Sequence, residues 1–341
     1  MKIFPQKKSG WKFLLLRWAV ILLALVFGIL YITNMPGTSY SGHLPPLSEK
    51  EKISGAYLKS HVKKLAGKIG PRNIWRPEQL DVSAEYISNM LKASGYKTAT
   101  QEYEVREVNV KNIEAEHIGT SLPEEIIIIG AHYDSVTGSP GADDNASGVA
   151  ALLEIARFVA GKNLSRTVRF VAFVNEEPPF FKTEQMGSWV YAARSGRKGE
   201  KIAAMISLES LGFYLDEPGT QKYPFPFSLF YPDTGNFIGF VSNISSRKLL
   251  RQTISSFRRH TRFPSEGLTA PGWITGVDWS DHWSFWEHGY PAIMITDTVP
   301  FRNIYYHTIN DTPDKLEYDR MTRVVSGIAR VVAELADSPD G

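Results

Sequence analysis

The longest apolar run in the chain, FLLLRWAVILLALVFGILYIT at 13–33, is broken only by Arg17 and Thr33. About 20 such residues cross a bilayer. Lys2, Lys7, Lys8, Lys12 and Arg17 lie before or at the start of the run, and no acidic residue occurs before Glu49. That excess of positive charge places the tail on the cytoplasmic side. A cleaved signal peptide has a shorter apolar core and a small-x-small cleavage site. The pattern therefore predicts a cytoplasmic tail over 1–11, a retained transmembrane helix over 12–33, a Pro/Gly/Ser-rich linker over 34–50, and an exported domain over 51–341.

Beyond the linker the periodicity alternates between helix-like and strand-like. KEKISGAYLKSHVKKLAG and RPEQLDVSAEYISNMLKASG read as amphipathic helices, the second capped by Gly95. YKTATQEYEVREVNVKNIEAEHIG alternates like strands. EEIIIIGAHYD, TVRFVAFVNEE, KIAAMISLESLGF and YPAIMITD read as buried strands, with helices predicted over NASGVAALLEIARFVAG, GSWVYAARSG, WSDHWSFWEHG and EYDRMTRVVSGIARVVAELAD. This order predicts an α/β fold, a three-layer αβα sandwich with a mixed, largely parallel sheet. Residues 213–275 are irregular, aromatic and Pro-rich, as expected of a lid or pocket wall.

Composition narrows the chemistry. The 341 residues include no cysteine, so neither disulfides nor thiolates are available and metal ligands must be His, Asp or Glu. Five of the 38 basic residues precede residue 35; against 36 acidic residues, the remainder carries a net charge of about −3. Nucleic acid is not an expected partner.

Carboxylates gather where strands end. His132 and Asp134 close one apolar run and Glu176 and Glu177 another, while Glu209 sits inside AAMISLESLGF. In parallel α/β sheets ligands lie beyond the carboxyl ends of the strands. An unpaired buried carboxylate is costly, so several at one sheet edge imply a shared cation. Oxygen and imidazole donors suit zinc or a similar divalent ion.

The ordered set HYDS, GADDNASG, NEE, SLE, SDH and YHTINDT resembles the zinc-dependent aminopeptidase family, which includes glutamate carboxypeptidases and, more distantly, glutaminyl cyclases. The resemblance spans roughly 80–335. It implies two Zn²⁺ ions bridged by Asp143, with His132 and Glu209 completing one site and Glu177 and His307 the other. Asp134 would accept from the second ring nitrogen of His132, and Glu176 would be the general base. A cis peptide is implied between Asp143 and Asp144. Glu209 stands where the family commonly has Asp, so the longer side chain requires the strand to sit back or the metal to shift. The implied activity is a membrane-anchored exopeptidase acting on peptides with a free N-terminus. The rivals are a glutaminyl cyclase-like acyltransferase with one zinc and a non-catalytic binding ectodomain.

Lesser expectations complete the reading. Phe180 and Phe181 are expected to pack, as are Trp279, Trp283 and Trp286. Asp281 and His282 are placed near the site. The glycosylation sequons at Asn145 and Asn310 are read as chance matches beside the site, pointing to a periplasmic or extracellular setting without N-glycans.

Overall fold

A computed structural model describes residues 8–337. Its eight strands are β1 (Thr98–Val105), β2 (Val108–His117), β3 (Leu122–His132), β4 (Arg166–Phe173), β5 (Lys201–Glu209), β6 (Ile238–Ser242), β7 (Ser265–Thr269) and β8 (Ala292–Thr296). They form one sheet in the order β1-β2-β4-β3-β5-β8-β6-β7. The central strands β4, β3, β5 and β8 run parallel. Antiparallel pairings attach β1 to β2, β2 to β4 and β6 to β8, while β7 lies parallel to β6 at the edge.

The helices are α1 (Lys8–Thr33), α2 (Glu49–Val62), α3 (Pro77–Ala93), α4 (Gly148–Val159), α5 (Gly187–Lys198), α6 (Arg247–His260), α7 (His282–Glu287), α8 (Val299–Arg302) and α9 (Tyr318–Asp337). Five of them, α2, α3, α4, α6 and α9, cover one sheet face; α5 and α7 pack together on the other. The mixed, mostly parallel three-layer arrangement is the one expected from the sequence. β3 shows why a parallel strand reads as a continuous apolar run. Ile127 and Ile129 enter the larger core under α4 and α9, while Ile126 and Ile128 enter the smaller core beside Phe285 of α7. α4 packs closely against β5, because a Cβ at Gly148 would strike the Leu208 carbonyl.

The 213–275 segment is more regular than expected. It contains β6, α6 and β7, and its irregular part, before β6, contributes to a cavity wall. α1 is long and apolar enough to cross a membrane, and its apolar side chains, among them Phe13, Leu22 and Phe27, are exposed.

Candidate metal centre

The parallel core brings the carboxyl ends of β3, β4 and β5 side by side. β3 ends on His132, whose register partner on β4 is Phe173, and Glu176 and Glu177 follow shortly after. Glu209 ends β5, opposite Thr296 of β8. His307 comes from the loop after α8, with its ring stacked on Tyr306 at 3.7 Å between centroids. Asn175, Ser210 and His307 adopt positive φ of 57°, 50° and 58°. Non-glycine residues in that region are uncommon and tend to cluster at functional sites.

Asp144 lies between the two imidazoles. Its Oδ1 is 3.1 Å from His132 Nε2, and its Oδ2 is 3.2 Å from His307 Nε2. Glu209 Oε2 lies 3.2 Å from His132 Nε2, and Glu177 Oε2 lies 3.0 Å from His307 Nε2. Two donor triads result, His132–Asp144–Glu209 and Asp144–Glu177–His307, sharing one carboxylate. Glu176 Oε2 is 3.9 Å from His132 Nε2, at the rim of the first triad.

The expected bridging residue was Asp143, and the structure puts Asp144 there instead. Asp143 faces away: its Oδ1 accepts from Gly212 N at 3.0 Å and its Oδ2 from Asn303 Nδ2 at 2.8 Å. The carboxylate of Asp311 takes the backbone N–H groups of both Asp143 and Asp144, at 2.9 and 3.2 Å, which fixes the turn. Asn145 Oδ1 then accepts from Gly148 N at the start of α4 and from Ser210 N after β5. The cis peptide likewise joins Asp144 to Asn145, one bond later than expected.

Asp134 also differs from expectation. Its Oδ1 is 3.6 Å from His132 Nδ1, too long for a hydrogen bond. Its two oxygens instead accept from Glu176 N and Glu177 N, both at 3.2 Å. Asp134 therefore holds the Glu pair rather than the imidazole. Glu209 reaches His132 despite its extra methylene, steadied by Ser280 Oγ at 2.7 Å and Ser210 Oγ at 3.1 Å. Sequence reasoning placed Asp281 and His282 near the site; buried Asp281 is close enough to feel the charges of His132 and Glu209, and their neighbour Ser280 makes the direct hydrogen bond to Glu209. His282 bonds the Val277 carbonyl at 2.8 Å and packs edge-on to Trp286.

Arg72, fully buried, is a further contributor that the sequence reading did not identify. Its guanidinium donates to the carbonyls of Tyr133, Pro140 and Gly141, clamping the loop between His132 and Asp144. The only sequence sign is an Arg beside a Pro in the GPRN turn at 70–73.

The donors fit a pair of divalent cations. Both ring nitrogens of His132 and the Nε2 of His307 are buried without a hydrogen-bond partner among the described residues. Buried imidazole nitrogens aimed at carboxylates are the donor set that zinc takes. The protonation pattern tells the same story of crowded charge. Burial opposes the protonation of His132, yet Glu209 and Glu176 drive it well above its ordinary value. Burial also works against His307, but the carboxylates of Asp144 and Glu177 facing its Nε2 raise it to about 10. Burial raises Glu177 to about 7, with the Asp144 charge adding to the effect. The raised values of His132, His307 and Glu177 all express the same concentration of negative charge, which a cation would relieve.

A cavity of about 280 Å³ opens onto Asp144, Glu176, Glu177, Glu209 and His307. Phe181, Tyr223, Phe227, Trp279, Phe301 and Tyr306 contribute to its largely apolar lining. Phe180 packs in the core as expected, whereas Phe181 and Trp279, expected to pack, line this cavity. Asn145 is fully buried, in keeping with its sequon being a chance match.

Comparison with known proteins follows the same line. The model of Peptidase family M28 matches residues 112–332. Over 290 residues, covering 82% of this chain and 88% of the other, the sequence is 40% identical to the uncharacterized protein YfbL of Escherichia coli K12. It is 28% identical over 273 residues to a probable leucine aminopeptidase 1 of Trichophyton verrucosum, covering 74% of this chain and 67% of the other. The zinc aminopeptidase BSAP from Bacillus subtilis shares the fold at a TM-score of 0.67 and 14% identity, over 88% of this chain and 98% of that one. A glutaminyl cyclase from Fimbriiglobus ruber does so at 0.61 and 19%, over 86% and 97%. At those identities the two structures speak for the fold alone.

Proposed function

Because this chain belongs to Peptidase family M28, we propose that it is a membrane-anchored dinuclear zinc aminopeptidase, hydrolysing the first peptide bond of peptides with a free N-terminus. The observation that carries the reading is the pair of donor triads sharing Asp144, with Glu176 beside them and an apolar cavity in front. His132, Asp144 and Glu209 would hold one ion; Asp144, Glu177 and His307 would hold the other. Three protein donors per ion leave positions open for water and substrate. Bound there, the ions supply Lewis acidity toward the scissile carbonyl and lower the pKa of water.

The remaining tasks belong to the chain itself. Glu176 accepts the proton of the attacking water and passes it to the departing amine. Asp134 fixes the backbone of Glu176 and Glu177, so base and ligand keep their relative positions. Tyr306 stacks on His307 and sets the plane of its ring. The apolar cavity receives the side chain next to the scissile bond and excludes water from it. Burial raises the Glu176 carboxyl well above its ordinary value, with the His132 charge opposing and Glu209 and Glu177 reinforcing the shift. With dications held by the two triads that balance would reverse, and Glu176 would be ionised and able to act as a base.

The same proposal places residues 1–11 in the cytoplasm, 12–33 across the membrane, 34–50 as linker and 51–341 outside, on the strength of the basic residues before the apolar run.

The aminopeptidase reading is tested with the purified full-length protein, zinc, leucyl anilide, acetyl-leucyl anilide, and a peptide beginning with Gln. Hydrolysis of the free-amine substrate alone, abolished by chelator and restored by zinc, is the expected result. Ammonia release from the Gln peptide without amino-acid release would assign the cyclase chemistry instead. Inertness toward all three in zinc-loaded protein would leave a binding ectodomain.

A further inference from the structure

Between Asp233 and Glu266 the sequence contains no acidic residue but six Lys or Arg: Arg247, Lys248, Arg251, Arg258, Arg259 and Arg262. Five of these are on α6, in a domain whose net charge is slightly negative. α6 buries Leu249, Leu250, Ile254 and Phe257 and turns its cationic side outward. Such a face is not needed by the metal centre, which lies at the carboxyl ends of β3, β4 and β5.

Its location is specific. Arg247 Nε donates to the carbonyl of Tyr31 at 3.0 Å, and its guanidinium lies 4.1 Å from the Tyr31 ring centroid. Arg251 donates to the carbonyl of Asn34, and Arg258 to those of Pro36 and Gly37. The basic helix is thus docked against the last turn of α1 and the residues after it, the level at which a spanning helix leaves the hydrocarbon. Aromatic residues such as Tyr31 favour that interface. Carbonyls do not neutralise a guanidinium, and no carboxylate lies within ion-pair distance of Arg247 or Arg251 among the described residues. Glu334 pairs with Arg259 and His260 and accepts from Ser256 Oγ at 2.7 Å. Next to Tyr31, a recess of about 760 Å³ is lined by Arg247, Lys248, Arg251 and Arg259 together with Glu334, whose carboxylate is taken by Arg259 and His260, and Ile244 is 43% exposed at its side.

We propose that the outward face of α6 is a membrane-docking surface that binds anionic phospholipid headgroups of the leaflet from which α1 emerges, fixing how the catalytic domain stands on the bilayer. The proposal rests on the reading of α1 as a retained anchor. A recess carrying the Arg247 and Arg251 guanidinium groups and flanked by an apolar side chain matches a phosphate with its glycerol and acyl start. Neutral lipids offer no net charge to offset Arg247 and Arg251.

The test uses the full-length protein with vesicles of neutral phosphatidylcholine, or of phosphatidylcholine containing phosphatidylglycerol. Flotation and amide hydrogen exchange over 243–262 are read in parallel. Each Lys or Arg near an anionic surface contributes roughly a fivefold factor in partition. The chain should float with both vesicles, and exchange over 243–262 should slow several-fold only with phosphatidylglycerol, an effect weakened by salt. A combined Arg247→Gln, Lys248→Gln, Arg251→Gln variant should lose that protection while keeping hydrolysis of a soluble anilide. Arg247→Lys with Arg251→Lys should retain it, because the charge remains. Flotation with both vesicles and identical exchange would overturn the docking surface and leave the anchor standing. Flotation with anionic vesicles alone would overturn the anchor and uphold the surface, and flotation with neither would overturn both.

Discussion

Asp143 and Asp144 are consecutive, both buried, and turn their carboxylates in opposite directions. Asp144 faces His132 and His307, while Asp143 faces Gly212 N and Asn303 Nδ2. One charge can be shared by two cations; the other supports the loops that carry them.

Asp144→Asn should therefore reduce bound zinc at both positions and abolish activity. Asp143→Asn keeps an acceptor for Gly212 but sets an amide against that of Asn303. It should retain metal and lose stability, by about 1–3 kcal/mol for a disrupted buried hydrogen bond. Metal content after dialysis and denaturant unfolding separate the two. Equal zinc loss in both variants would mean that the carboxylates act as one unit.

That assignment marks the limit of what the sequence makes legible. The parallel core could be read because strands buried on both faces, such as β3, are continuous apolar runs, and helices such as α9 keep a clear period. Sequence placed His132, Glu177, Glu209 and His307 at the site because each breaks an apolar run or belongs to a recognisable motif. It cannot choose between Asp143 and Asp144, which have the same chemistry one residue apart. The choice is made by Asp311, Gly212 and Asn303, far away in the chain. α6, β6 and β7 escaped notice for local reasons: β6 and β7 are five-residue strands containing Gly239 and Gly267, and the apolar stripe of α6 is diluted by Arg, Ser and Thr.

Adjacent glutamates give a second contrast. Glu176→Gln removes a base but no member of either triad, so zinc should stay bound and kcat should fall by about 10²–10⁴ with little change in KM. Glu177→Gln removes a charged donor of the His307 triad. Zinc should be lost from that position, and excess zinc should partly restore activity. Steady-state kinetics across a zinc titration reads both, and a zinc-rescued Glu176→Gln would exchange the roles.

A third expectation concerns stability and pH, away from the metal centre. Burial, reinforced by the charge of Arg157, holds His61 down at about 4, and its Nδ1 lies 2.7 Å from the Tyr86 hydroxyl. In the unfolded chain a His titrates near 6.5. Between those values the unfolded chain takes up a proton that the folded one refuses. The stability contributed by neutral His61 is thus complete above about pH 6.5 and declines as pH falls toward about 4, by at most about 3 kcal/mol. Denaturant unfolding at several pH values should show a shallower acid loss for His61→Gln than for the parent chain. Identical slopes would remove His61 as a cause.

The central claim, two metal ions sharing Asp144, meets its most direct test in a crystal structure of the zinc-loaded protein with anomalous data collected on either side of the zinc edge. The account predicts two zinc peaks, one among His132, Asp144 and Glu209 and one among Asp144, Glu177 and His307, with an Asp144 oxygen on each ion. A single peak at full zinc occupancy, or a second ion bound by Asp143, would contradict it.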